Sequence, residues 1–171
     1  MIDKQIVRVK VSGDFACFTR PDLKVERMSY PCMTPSAARG ILDCVLWKPE
    51  FQWYVRKIWV LKQVQFINLK RNEINTKQGK NPIIIEEKRS QRNSIVLKSV
   101  EYIIDASIFQ NQSSEKNPPV KYVEMFKRRV RKGQCWRRPY LGTREFSAEF
   151  KESDNTEKPI NEIIPIGSML F

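Results

Sequence analysis

Two apolar stripes at helical spacing, each opened by proline and each set between extended runs, constrain the fold of this chain more than any other feature. The first starts at Thr34-Pro35-Ser36. There threonine offers an N-cap oxygen and proline takes the first helical position, where its missing N–H costs nothing. Ala37, Ile41 and Val45 then recur every fourth residue, and Ala38, Leu42 and Leu46 repeat the spacing one position on. Such a stripe must pack on another layer. Pro49 ends it. The second helix opens at Pro118-Pro119 and runs to about residue 132. Tyr122, Phe126 and Val130 hold the same spacing with Val123 beside them, and Gly133 stands where a helix end takes left-handed backbone.

The rest is extended or irregular. Residues 5–11 alternate, with Val7, Val9 and Val11 on one face and Ile6, Arg8 and Lys10 on the other, and Ser12-Gly13-Asp14 reads as the end of that strand. Residues 15–33 read as irregular, broken by Pro21 and Pro31. Residues 51–69 read as extended. Residues 72–93 read as a polar loop apart from Ile83-Ile84-Ile85. Residues 94–109 read as a long strand with Val96, Val100, Tyr102 and Ile104 on one face, and residues 110–117 as a polar loop. Residues 138–150 read as extended again.

The order β-α-β-β-α-β predicts an α+β fold, a ferredoxin-like (RRM-like) domain with a four-stranded antiparallel sheet and two helices on one face. Residues 1–150 are assigned to it. Residues 151–171, acidic and then apolar at Ile160, Ile163, Ile164 and Ile166, are assigned to the start of a β-rich C-terminal region. The chain stops at Met169-Leu170-Phe171 inside a segment that reads as a strand, so the region is expected to continue.

With 171 residues and 41% hydrophobic content, the chain has material for a core without disulfides. Its 31 Lys and Arg against 19 Asp and Glu leave a net charge of +12. That imbalance calls for a polyanion, nucleic acid before an acidic membrane or protein. There is no histidine, which removes His bases, His-activated nucleophiles and His metal ligands. Cys17, Cys32, Cys44 and Cys135 form no Cys-x-x-Cys pair and read as reduced thiols of a cytoplasmic protein. No apolar run is long enough to span a membrane, and Met1-Ile2-Asp3-Lys4 opens no secretory signal.

The charge is clustered. Lys121, Lys127, Arg128, Arg129, Arg131, Lys132, Arg137 and Arg138 lie within 18 residues that hold one acid, Glu124. An ordinary solvated helix face mixes the two signs, so this segment reads as a contact for RNA backbone. Arg20, Lys24, Arg27 and Arg39 form a second basic set, interleaved with Phe15, Phe18 and Tyr30. Aromatic rings beside arginine suit unpaired bases, although the phenylalanines also suit a core. No glycine-rich phosphate loop and no carboxylate pair with metal-site spacing is present, so no metal and no cofactor are expected.

Several stretches are similar to a CRISPR-associated family. They are Gly13-Asp14-Phe15-Ala16-Cys17-Phe18-Thr19-Arg20-Pro21, Thr34-Pro35-Ser36-Ala37-Ala38-Arg39-Gly40-Ile41-Leu42 and Trp47-Lys48-Pro49. Further along come Arg71-Asn72-Glu73, Gln91-Arg92, Lys121-Tyr122-Val123-Glu124-Met125-Phe126, Gly133-Gln134-Cys135 and Pro139-Tyr140-Leu141-Gly142-Thr143-Arg144-Glu145-Phe146. Together they resemble the d-type branch of the fifth Cas protein family, from CRISPR subtype I-C. The resemblance implies a RAMP-superfamily protein with a ferredoxin-like N-terminal domain and a small β-rich C-terminal part. It implies an endoribonuclease that cuts the repeat of a CRISPR transcript at the base of a hairpin, keeps the 5′ handle of the guide and joins the other subunits of the interference complex. Arg144, within the last of these stretches, is also expected to bind RNA. Chains of the family usually continue past residue 171.

The family cuts with a Tyr, a Lys and a His. Its Tyr precedes the Trp-Lys-Pro motif, where this chain has Leu46, and its Lys-His pair is Lys121-Tyr122 here. Metal-free cleavage needs a base for the 2′-hydroxyl, a cation for the phosphorane-like charge and an acid for the leaving 5′-oxygen. Lys121 suits the cation, at a helix N-terminus that also favours phosphate. Tyr122 suits a proton donor, or a core position shared with Phe126 and Val130; Tyr30 and Tyr140 are the alternatives. A non-cleaving subunit that binds the 5′ handle is the second reading. A general RNA-recognition module is weaker, because residues 94–104 lack the paired aromatics it uses.

Overall fold

The computed structural model describes residues 6–23, 25–110 and 118–169. Lys24, residues 111–117 of the expected polar loop, and Leu170 and Phe171 of the expected last strand lie outside the described residues.

Strand β1 (Ile6–Ala16) buries Val7, Val9 and Val11 and turns Arg8 and Lys10 outward. It does not end at Ser12-Gly13-Asp14. Gly13 stays in the ladder opposite Val100, and a Cβ there would lie 2.4 Å from Leu141 Cδ1. The glycine makes room for a neighbour instead of making a turn. Helix α1 (Pro35–Val45) begins as the sequence predicts, with Thr34 accepting from the Ala37 N–H at 3.1 Å. It buries Ala38, Ile41, Leu42, Cys44 and Val45.

Strands β2 (Phe51–Val60) and β3 (Phe66–Ile74) both pair with β4 (Arg89–Gln110), a strand of 22 residues. The β2 register runs from Phe51 opposite Gln110 to Val60 opposite Tyr102, and β3 continues from Phe66 opposite Leu97 to Ile74 opposite Arg89. Backbone bonds from Leu61 to Glu101 (3.0 Å) and from Lys98 to Gln65 (2.9 Å) span the gap. Residues 51–74 and 89–110 are thus the two arms of one interrupted hairpin, and most of the expected polar loop 72–93 belongs to its tip. Its residues carry no apolar alternation because the ribbon there pairs charged and amide side chains. Ile85 opens the one-turn helix α2 (Ile85–Lys88).

The expected face of β4 also shifts. Ser99 adopts a left-handed backbone (φ 52). Val100, Tyr102 and Ile104 face the main core, but on the far side of Ser99 it is Leu97, not Val96, that joins them. Helix α3 (Pro119–Arg131) ends in a Schellman turn. Gly133, at φ 61, bonds to Val130 at 3.0 Å and Gln134 bonds to Arg129 at 2.9 Å.

Only the end of the extended run expected over 138–150 is a strand, β5 (Glu149–Glu152). Before it the chain folds back at Gly142 (φ 85), with Leu141 bonded to Phe146 at 2.7 Å and Cys17 to Leu141 at 3.0 Å. The result is a mixed α/β molecule on an antiparallel sheet of order β2-β4-β1-β5, with β3 beside the first half of β4. Side chains of α1 and α3 share one core with β1, β2 and β4. The C-terminal stretch reaches back to the sheet edge, where the Ile160 N–H donates to the Val60 carbonyl at 2.9 Å. Among the described residues no helix is long and apolar enough to cross a membrane. The four cysteines are free thiols.

Candidate nucleic-acid interface

The basic segment is organised by the C-terminal end of α1. A helix end leaves carbonyls without intrahelical partners, and here α3 and the loop after it supply the donors. Arg129 donates to the Val45 carbonyl at 2.7 Å, the Trp136 indole to Asp43 at 2.5 Å, and the backbone N–H of Trp136 to Cys44 at 3.1 Å. Arg137 and Arg138 are thereby held beside the negative end of the α1 dipole, a favourable place for cations.

The same contacts sort the cations. Arg129 is taken by α1, Lys127 pairs with Glu124 at 3.4 Å and Arg131 with Glu152 at 3.2 Å. Arg128, Arg137 and Arg138 are exposed, and none has an acidic partner among the described residues. Arg39 projects from the exposed side of α1 into a cleft of about 290 Å³ that it shares with Asp43, Trp47, Phe51 and Gln52. Burial pushes the Asp43 carboxyl up, and the Arg39 charge pulls it partly back.

Lys121 is exposed in the first turn of α3. Tyr122, its expected companion, is 3% exposed, with its ring 5.0 Å from that of Phe51 and its hydroxyl buried without a hydrogen-bond partner. It is a core residue by placement, as the shared stripe with Phe126 and Val130 allows. Leu46 is fully buried as the C-cap of α1, and its carbonyl accepts from the Trp53 indole at 2.9 Å. Of the alternative phenols, Tyr30 is buried and donates to the Ser168 carbonyl at 3.1 Å. Tyr140 is half-buried and lines a cleft of about 310 Å³ with Thr19, Thr34, Ser36 and Gly142 at the start of α1.

The second basic set does not assemble as one patch. Arg20 is held by Asp22 at 2.8 Å, which keeps that carboxyl below its usual range. Arg27 pairs with Glu145 at 3.3 Å and Glu73 at 3.8 Å. Phe18 and Tyr30 belong to the core, and Phe15 packs on Phe146. Arg144 is exposed.

Arg27 is instead part of a network that the linear sequence does not display. Arg71 pairs with both Glu145 and Glu73, and Arg92 with Glu73 at 3.5 Å. The stretches Arg71-Asn72-Glu73 and Gln91-Arg92 stand opposite each other in the β3–β4 register. Arg71 faces Arg92 there, and Glu73 pairs with both, a relation visible only once the hairpin is known.

Comparison with known proteins agrees with this architecture. The family described as "CRISPR-associated protein (Cas_Cas5)", Cas5d type, matches residues 6–162. The chain is 46% identical over 165 residues to the CRISPR pre-crRNA endoribonuclease Cas5d of Thermus thermophilus, covering 96% of this chain and 72% of that protein. It is 41% identical over 173 residues to the protein of the same name from Mannheimia succiniciproducens, covering 92% of this chain and 77% of that one. Among solved structures, one described as a CRISPR-associated protein superposes with a TM-score of 0.65 at 26% identity, over 88% of this chain and 67% of the other.

Proposed function

The chain belongs to the d-type branch of the Cas5 family of CRISPR-associated proteins, and from that premise we propose that it is a pre-crRNA endoribonuclease. It cuts the repeat of a CRISPR transcript and holds the 5′ handle of the guide within the subtype I-C interference complex, in the cytoplasm where transcripts are made. The observation that carries this reading is the 46% identity to a curated Cas5d endoribonuclease over 96% of this chain. The order β2-β4-β1-β5 supports a ferredoxin-like plan over residues 1–150, with β3 and α2 as an elongated hairpin tip. Residues 151–171 then begin the β-rich C-terminal region.

The chemistry is internal transfer at phosphorus. The 2′-oxygen loses its proton and bonds to phosphorus, the bond to the 5′-oxygen breaks, and the leaving oxygen takes up a proton. Lys121, exposed at the start of α3, supplies positive charge to the phosphorane-like state. Arg39, Arg128, Arg137, Arg138 and Arg144 bind the RNA backbone, because phosphate contacts dominate such affinity. Tyr140, with access to a cleft, is a better proton carrier than the buried Tyr122.

A second reading, a subunit that binds the handle without cutting, is favoured by one observation. The positions where the family resemblance implies a Tyr and a His are the fully buried Leu46 and the core residue Tyr122. Incubating the chain with its own repeat RNA in EDTA, across pH, separates the two. Cleavage at one position supports the enzyme, and binding without cleavage supports the subunit.

A further inference from the structure

The face of the sheet turned away from α1 and α3 carries exposed aromatics that the processing site does not use. On β2, Gln52, Tyr54, Lys57 and Trp59 stand opposite Phe109, Ser107, Asp105 and Ile103 of β4. Asp105 in turn stands opposite Arg8 of β1. Tyr54 is 51% exposed and Phe109 67%. They are diagonal neighbours across the pair, within reach of one another's ligands.

Cations accompany the rings. The Arg56 guanidinium lies 4.8 Å from the Tyr54 ring centre and donates to Ser107 Oγ at 2.9 Å. Lys57 Nζ lies 3.7 Å from the Trp59 ring centre. Beneath them the nearly buried Asp105 accepts two bonds from Arg8, at 2.6 and 2.7 Å, and one from the Trp59 indole at 2.8 Å. Arg8 therefore neutralises Asp105, and Trp59 is fixed in place. Among the described residues no acid pairs with Arg56 or Lys57. The face thus offers two open rings, and two cations without an acidic partner among the described residues, on one antiparallel strand pair. That is a match for unpaired nucleotides, whose bases stack and whose phosphates seek charge.

We propose that this outer face is a stacking platform for two unpaired nucleotides of the single-stranded flank of the repeat RNA. One base lies on Phe109 and one on the open side of Tyr54, while Arg56 and Lys57 meet the phosphates. The inference rests on the RNA-binding reading above and adds a second contact surface to it, on the opposite side of the sheet from α1 and α3.

The test uses the whole chain with two fluorescent RNAs, the single-stranded flank alone and the hairpin alone, titrated at several salt concentrations. Tyr54→Ala and Phe109→Ala should each weaken flank binding by roughly tenfold and leave hairpin binding unchanged. Because neither removes a charge, the salt slope should stay as in the wild type. Tyr54→Phe should bind like the wild type. Both side chains are exposed, and melting temperatures check that the variants fold. Flank affinity unchanged from the wild type in either alanine variant overturns the two-base platform, and would leave the face to a protein partner. Wild type that binds the hairpin but not the flank also overturns it, with the processing reading intact. Failure to bind either RNA removes both.

Discussion

The guanidinium of Arg129 donates to the backbone carbonyl of Val45 at 2.7 Å, tying the last turns of α3 to the last residue of α1. A half-buried, charge-assisted bond of this kind is worth about 1.5–3 kcal/mol. Arg129→Ala should lower stability by about that amount, measured as a shift of the urea midpoint without a change of slope. Repeat-RNA affinity at fixed salt should change little. A variant of wild-type stability with weakened RNA binding would assign Arg129 to the RNA instead.

The complementary change is Arg128→Ala, Arg137→Ala and Arg138→Ala in one chain. These side chains are exposed, so stability should hold. Affinity for repeat RNA should fall, and the slope of log K against log salt should flatten by about 0.7 per lost contact with single-stranded RNA. Unchanged affinity and slope would mean that this face is merely solvated.

Much of the core can be read from the sequence, because α1 and α3 announce themselves through proline, cap and period. Thr34 caps as expected, and Gly133 closes α3 as expected. The hairpin tip is not legible. Arg71, Glu73 and Arg92 alternate without any apolar face, and what holds them is each other and Glu145 across long separations. The parity change in β4 depends on one left-handed residue, Ser99, of a type that does not advertise it. The arginine run is plain in the sequence, but sequence could not apportion it. Arg129, Arg128 and Arg137 look alike until the end of α1 is seen to need a donor.

Gly142 is required where it stands. Its backbone is at φ 85, and a Cβ would lie 2.0 Å from the Cys17 carbonyl oxygen, a backbone atom just past the end of β1. Gly142→Ala should cost more than the roughly 1–2 kcal/mol of left-handed strain alone, through the added clash. Gly133→Ala is the control, since φ there is 61 and its Cβ would meet open space. Thermal melts in which the two variants lose equal stability would contradict the close approach of residues 17 and 142.

Asp43 gives a pH signature. Burial raises its folded-state pKa despite Arg39, so the folded chain binds the proton more tightly than the unfolded chain does. The associated stability is fully present below the ordinary carboxylate value and is lost as pH rises through the raised value. Above that window the charged carboxylate opposes folding. Asp43→Asn should therefore narrow the gap in stability between acidic and neutral pH, with its gain over wild type appearing at neutral pH. Urea midpoints measured across that range check it; a variant that loses stability only at neutral pH would show that the Arg39 attraction outweighs burial.

Lys121 carries the cutting chemistry in this reading, and its removal tests it most directly. Lys121 is exposed in the first turn of α3, at the positive end of the helix dipole, which also favours a phosphate. The chain has no histidine to take over a proton transfer near neutrality. Lys121→Ala should slow cleavage of the repeat RNA by roughly ten- to a hundredfold, as for the loss of one contact to transition-state charge, with little effect on binding measured on uncleavable RNA carrying a 2′-deoxy nucleotide at the cut. Tyr122→Phe should leave the rate unchanged, because the hydroxyl is buried without a partner and away from solvent. The rate should rise with pH without a descending limb just above neutrality, since no imidazole is present to serve as the acid. Equal rates for Lys121→Ala and wild type would remove the lysine from the mechanism. A wild type that binds its repeat tightly and never cuts it would make the buried Leu46 and Tyr122 the reason, and would leave the chain as the handle-binding subunit.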